Sequence, residues 1–351
     1  MKSFEEFQQY FDMTIKEALE DIEKRRSNMH YWRHMLGIIG GALLLIHWTF
    51  VALDIIPSYT MIPTLLAIPA VAYFIYQRVV LDTSIPDDYK ETVVKQMIHF
   101  VDPSLNYQAE NYIKYEVFKE SELFLLKPDH YIGDDYIDGT IGGVGIQVSE
   151  LEVMLETQGM RQKKPRWNTL FHGIFLVATT SQSYSGKTFI LSDNLYKRMG
   201  YAGMLVQMNN LVRGHYIQAE NIQFRKNFVV YAENALEGKE LLTEELMESL
   251  LVLKKKSHCP VYVSLIGHKV YVAVDLRKDV FKVDINKPLF DARFVRSFYD
   301  ELYYILGIVR DLGLGEFPSP TSGPENHIPM DQFSEPPMEQ EHFDFDQDDF
   351  E

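Results

Sequence analysis

The chain has 351 residues, of which 46% are apolar, and a net charge of −16. This is enough for about two domains and a sizeable core, and too acidic for a general nucleic-acid binder, which needs a basic surface. The single cysteine, Cys259, excludes an internal disulfide framework and suits a reducing compartment. Residues Phe317 to Glu351 hold ten acids and no Lys or Arg, which leaves −6 for the other 316 residues. The acidity is therefore mostly a property of the tail.

Over residues 1–33, Phe4, Phe7, Phe11, Ile15, Leu19 and Ile22 recur at three- and four-residue steps among Glu and Gln. The spacing predicts an amphipathic helix that ends in the basic cluster Lys24-Arg25-Arg26. Its apolar face has two readings of equal weight: it pairs with a partner or anionic lipid headgroups, or it packs on the chain's own soluble domain.

Residues 34–81 predict a transmembrane hairpin. Met35 to Leu53 is a run of 19 residues without charge, and Ile55 to Tyr76 is uncharged as well; a bilayer core needs about 20 apolar residues per helix. A signal peptide is excluded, because the first run starts more than 30 residues in and a second follows at once. Lys24, Arg25, Arg26 and Arg33 precede the first span, Arg78, Lys90 and Lys95 follow the second, and the connecting loop has no Lys or Arg. The positive-inside rule then places both termini in the cytoplasm and the short loop outside. Gly37 and Gly41 form a GxxxG pair, a candidate for helix packing within the hairpin. Pro63 and Pro69 are expected to bend the second helix, and His47, the lone ionisable group at its depth, to be neutral and hydrogen-bonded next to Trp48.

Residues 82–316 read as a cytoplasmic α+β domain, antiparallel-rich, in two halves meeting near 207–227. Pro86 opens a helix with Tyr89, Val93, Met97 and Val101 on one face. Gly139 to Gly145 marks tight turns, and strands follow over Ile146 to Leu155, Thr169 to Thr180 and Lys187 to Leu191. Phe228 to Tyr231 is a strand and Thr243 caps a helix. Val261 to Leu265 and Val270 to Val274 alternate across Gly267-His268, which predicts a hairpin. Phe294, Phe298, Leu302, Ile305 and Val309 mark a closing helix stopped by Gly313 and Gly315.

No catalytic constellation is legible. Ser185-Gly186-Lys187-Thr188 lacks the glycine a phosphate loop needs, since position 181 is Ser181, and it joins two strands; a turn is expected. Asp129, His130, Asp134, Asp135 and Asp138 could bind a hard cation, but Tyr136 and Gly145 break the calcium-loop pattern, so a solvated loop is expected. His258 and Cys259 are neighbours entering a strand and would point to opposite faces, which leaves Cys259 as a small buried residue. GxSxG and HExxH are absent. No cofactor or metal is implied.

Ser121-Glu122-Leu123-Phe124, Gly133-Asp134-Asp135, Ile137-Asp138-Gly139, Ser149-Glu150 and Phe171-His172-Gly173-Ile174-Phe175 come in order, followed by Phe228 to Ala232 and Val261 to Val274. Over Pro86 to Val309 this resembles a bacterial membrane-protein family catalogued as domain of unknown function 3137. The resemblance implies a transmembrane pair followed by this domain, brings no assigned activity or catalytic residues, and suggests a LemA-family membrane protein as a partner through genomic neighbourhood. The tail lies outside it.

Residues 317–351 hold six prolines and ten acids without a base and are expected to form a disordered acidic tail. Phe343, Phe345 and Phe350, interleaved with Asp344, Asp346, Asp348 and Asp349, are candidates for docking to a basic groove, either on a partner or on the chain's own domain; the alternative is a solubilising tail. The leading expectation is a membrane-anchored, non-enzymatic scaffold or adaptor in contact with membrane lipids and a protein partner. The alternative is a ligand- or lipid-sensing membrane protein, and the third reading a hydrolase with an unrecognised site.

Overall fold

A computed structural model describes residues 4–157, 166–192 and 213–314. The chain begins with one uninterrupted helix, α1 (Phe4–Ala52), of 49 residues. The amphipathic segment and the first apolar run are thus continuous, and the change at residue 33 is one of chemistry, not of backbone. Asp54, at φ 56°, turns the chain, and α2 (61–80) runs back beside α1. After a break at 81–84, α3 (85–101) enters the domain, Pro86 in its first turn as expected. Along 31–79 the two helices expose Ile38, Leu43, Leu45, Ile62, Leu66, Val71 and Phe74. Both are long and apolar enough to cross a membrane.

The sheet is built from β1 (Asn106–Gln108), β2 (His130–Ile141), β3 (Val144–Thr157), β4 (Arg166–Ser192), β5 (His215–Ile217), β6 (Phe228–Ala232) and β7 (Val261–Val274). Its order is β1-β2-β3-β4-β6-β5, with β7 also paired to β4, and every described pairing is antiparallel. Gly142 and Gly143, both at positive φ, make the two-residue turn between β2 and β3, the geometry that demands left-handed residues. The long β4 serves both ends of the sheet. Its first part pairs with β3, its last five residues with β6, and β7 lines it from Ile174 to Leu191.

This corrects the hairpin expected at Gly267-His268. The halves of β7 do not pair with each other; both pair with β4, whose register shifts between Thr179 and Tyr184 at the level of Gly267. A glycine flanked by alternating residues marks a bend there, and the bends of the two strands coincide.

Each face of the sheet has its own core. The remaining described helices are α4 (Tyr115–Glu120), α5 (Ile222–Asn227), α6 (Ala235–Leu241), α7 (Glu244–Ser257) and α8 (Ala292–Asp311), and one face is covered by α1, α3 and α8. Here Phe7, Phe11, Ile15, Leu19 and Ile22 of α1 meet Tyr89, Val93 and Met97 of α3 and Phe298 and Leu302 of α8. Phe7 stacks on Tyr299 with ring centroids 5.1 Å apart. The apolar face of the N-terminal helix therefore packs on the chain's own domain, the second of the two readings above. The other core holds Phe118, Phe124, Phe171, Phe175, Tyr262 and Tyr271. The segment Glu244–Ser257 is a helix whose first turn is capped by Thr243, its hydroxyl accepting from Leu246 N at 3.2 Å.

Candidate functional site

Polar side chains gather at one end of the helix-covered face. β2 carries an irregularity between Asp134 and Ile137, with Asp135 in the left-handed region at φ 55°. Neighbours on a regular pleat point to opposite faces; the bulge instead lets both carboxylates reach one cation. Lys90 Nζ donates to Asp134 Oδ2 at 2.8 Å and to Asp135 Oδ2 at 2.7 Å. Asp135, almost fully buried, also accepts from the Tyr107 hydroxyl. Lys90 opens a widened π-type turn of α3, Lys90–Val94, a distortion often found at functional sites. Burial opposes its charge, but Asp135 and Asp134 outweigh that and hold the ammonium above its ordinary range.

Glu150 of β3 lies opposite Asp134. Together with Ile146 and Val148 it occupies the core-facing positions of the strand. Its Oε2 accepts from Val280 N at 2.8 Å. Across the sheet, His172 of β4 shares the face of Ile174 and Leu176 and is diagonal to Glu150. Its Nε2 lies 3.4 Å from Glu150 Oε1 and 3.2 Å from Asp279 Oδ1. The Glu150 carboxylate beside it, against the cost of burial, raises the imidazole above its ordinary value.

The backbone of His172 is pinned on both sides. Its N–H donates to Asp275 Oδ1 at 3.1 Å, and its carbonyl accepts from Arg277 N at 2.8 Å. Gly173, at φ 155°, makes this approach possible, because a Cβ there would stand 2.2 Å from the Val274 carbonyl oxygen. Glu301 of α8 completes the cluster, 3.5 Å from Lys278, and burial pushes its carboxyl up to about 8.

The segment between β7 and α8 supplies Lys278, Asp279 and Val280 and is gripped further along by α1. His30 Nε2 lies 2.8 Å from the Ile285 carbonyl, Arg26 Nη1 donates to the same oxygen at 3.4 Å, and Leu289 N donates to Glu23 Oε2 at 2.9 Å. One polar site is thus tied to both long helical stretches, through Lys90 to the chain leaving α2 and through the 278–289 segment to α1.

Of the acidic group expected as a solvated loop, only Asp134 and Asp135 enter this site, and they stand on a strand. Asp138 accepts from Asn106, and Asp129 accepts from Glu156 N. Sequence reasoning missed Lys90, Glu150, His172, Asp279 and Glu301. The Ser185-Gly186 stretch does cradle an oxyanion, but an internal one. Ser185 N and Gly186 N donate to the Glu237 carboxylate at 2.7 and 2.9 Å, and Lys187 pairs with Glu122 at 2.9 Å. Cys259 is half-buried against the core.

Between α1 and α2, Gly37, Gly40, Gly41, Ile68, Pro69 and Arg33 line a cleft of about 580 Å³. A Cβ at Gly37 or Gly41 would meet nothing within 4 Å, whereas one at Gly40 would lie 3.5 Å from Ile68. His47 Nε2 lies 3.1 Å from Thr60 Oγ1, so its hydrogen bond ties the two apolar helices at the turn. Phe343, Phe345 and Phe350 lie outside the described residues.

Residues 169–314, from β4 through α8, match the family described as "Protein of unknown function (DUF3137)". No curated protein matches the sequence. Among solved structures, the mycobacterial trehalose monomycolate transport factor A, TtfA, aligns over 60% of this chain and 94% of its own, at 10% identity and a TM-score of 0.30. A likeness that slight carries no argument about this chain.

Proposed function

Taking the chain as a member of the DUF3137 family over residues 169–314, we propose that it is a membrane-anchored sensor, in which α1 and α2 form a transmembrane hairpin with both termini cytoplasmic and the polar cluster reads a small ligand. The observation that carries this is the double attachment of the cluster. Lys90 ties Asp134 and Asp135 to the helix that follows α2, and the segment holding Asp279 is clasped by Glu23, Arg26 and His30 of α1. A ligand that redistributes charge among these groups acts on both helices at once, and coupling needs only a differential contact of that kind. The adaptor reading, with Phe343, Phe345 and Phe350 docking a partner such as a LemA-family protein, rests on residues outside those described and is the lesser proposal.

The test is a distance between the membrane helices. Leu43 and Val71 are exposed and stand on α1 and α2. Spin labels at these positions, on a Cys259→Ser background in nanodiscs, report the interhelical distance by pulsed electron paramagnetic resonance. Lys90→Met removes one tie and is expected to shift or broaden the distribution. An unchanged distribution would show that the cluster is not coupled to the hairpin.

A further inference from the structure

One donor atom each from Glu150, His172 and Asp279 lies within 4.8 Å of the other two. They form a mixed nitrogen–oxygen donor set drawn from two adjacent strands and the segment after β7. Their spacing is informative. Nε2 stands 3.4 and 3.2 Å from the two oxygens, long for charge-assisted hydrogen bonds, which run about 2.7–2.9 Å. In a tetrahedral site with bonds of about 2.0 Å, neighbouring ligand atoms lie about 3.3 Å apart. One ring nitrogen, moreover, faces two carboxylates, and its single proton cannot serve both well.

The surroundings hold these donors in place. Val280 N fixes Glu150 through its other oxygen, the one not facing His172. The His172 backbone is pinned by Asp275 and Arg277, and Gly173 admits the close packing that sets its direction. Such outer contacts are what orient metal ligands. Glu150 is buried and His172 nearly so, whereas the Asp279 side chain is 48% exposed. The donor set therefore has a rigid floor and one movable, solvent-facing ligand, which gives an ion a way in and leaves a coordination position for water.

We propose that Glu150, His172 and Asp279 form a site for a divalent transition-metal cation of the zinc class. This names the ligand of the sensor reading and rests on it. Soft-ligand metals are disfavoured by the absence of a thiolate, and calcium or magnesium by the imidazole.

The probe is Co²⁺, which reports its coordination through visible absorption, titrated into the purified full-length protein in detergent, with Zn²⁺ as competitor. One equivalent should bind, with a band of the intensity given by four- or five-coordinate sites, and Zn²⁺ should displace it. Asp279→Asn, at the exposed ligand, should leave the fold intact and weaken binding at least tenfold. His172→Gln should abolish the band, while Glu156→Gln, exposed and six residues along β3 from Glu150, should bind as the parent does. No Co²⁺ band in the parent protein, or equal binding by Asp279→Asn, overturns the proposal. Its failure is separable from that of the sensor reading. A protein that ignores Co²⁺ yet changes its helix distance on Lys90→Met is a sensor for another ligand; one that binds Co²⁺ without that response holds a metal unconnected to the hairpin.

Discussion

At the scale of single residues, the polar cluster stores a pH dependence. Glu301 is buried on α8 with its carboxyl pushed up to about 8 by burial, from an ordinary 4.5. A raised carboxyl binds its proton more tightly in the folded chain than in the unfolded one, so stability falls as pH rises through the window from about 4.5 to about 8. Glu301→Gln removes that penalty. Its unfolding transition should match the parent's near pH 4.5 and exceed it above pH 8, by on the order of 1–3 kcal/mol. Denaturant unfolding at the two pH values measures this, and an equal gain at both would mean that the effect is packing and not ionisation. Some of the site was readable beforehand. Glu150 sits in the inward series Ile146, Val148, Glu150, and His172 in the series His172, Ile174, Leu176; a polar residue at a core-facing position is a legible anomaly. Lys90 and Asp279 were not legible, because no local pattern says that a helix before the sheet and a segment after it will converge on these strands. Asp134 and Asp135 were misread for a related reason. Adjacent acids beside a glycine imitate a solvated turn, and only the bulge, a feature of pairing, reveals that both serve one lysine.

At the scale of elements, the N-terminal helix is held by its apolar face. Phe7 is fully buried between Phe100 and Tyr299, and Phe7→Ala should cost about 3–5 kcal/mol, as truncation of a buried phenylalanine does. The loss should appear in the unfolding of the sheet domain in detergent, since the change lies far outside the apolar run. A domain of undiminished stability would contradict the packing described. The periodicity of Phe7, Phe11, Ile15 and Leu19 showed that one face must be covered. It could not name the cover, which is α3 and α8. The β7 strand teaches the same lesson from the other side. Its alternation gave the strand and its glycine gave the bend, but the partner of each half was fixed by β4, which bends at the same level.

At the scale of the whole molecule, the hairpin orientation remains a proposal with a direct test. On a Cys259→Ser background, a cysteine at Ser58 should react with an impermeant reagent added outside intact cells, and one at Ser319 only after lysis; the reverse pattern would invert the topology. The charge asymmetry behind this was the most legible global feature of the sequence, because it needs no knowledge of pairing. The continuity of α1 was not legible. Its residues 4–22 and 35–52 obey different chemistries, and nothing local says that no turn separates them.

That continuity has a consequence for how the protein is made. At 1.5 Å per residue, α1 is a rod of about 74 Å. Its first turns find their cover in Tyr299 and Phe298, more than 280 residues later in the chain. Synthesis runs from the N-terminus, so the two apolar helices are complete long before α8 leaves the ribosome. Throughout that interval Phe7, Phe11, Ile15 and Leu19 form an uncovered amphipathic stripe, the kind of surface that settles on lipid headgroups. The arrival of the last helix is therefore the step that covers this stripe and closes the fold.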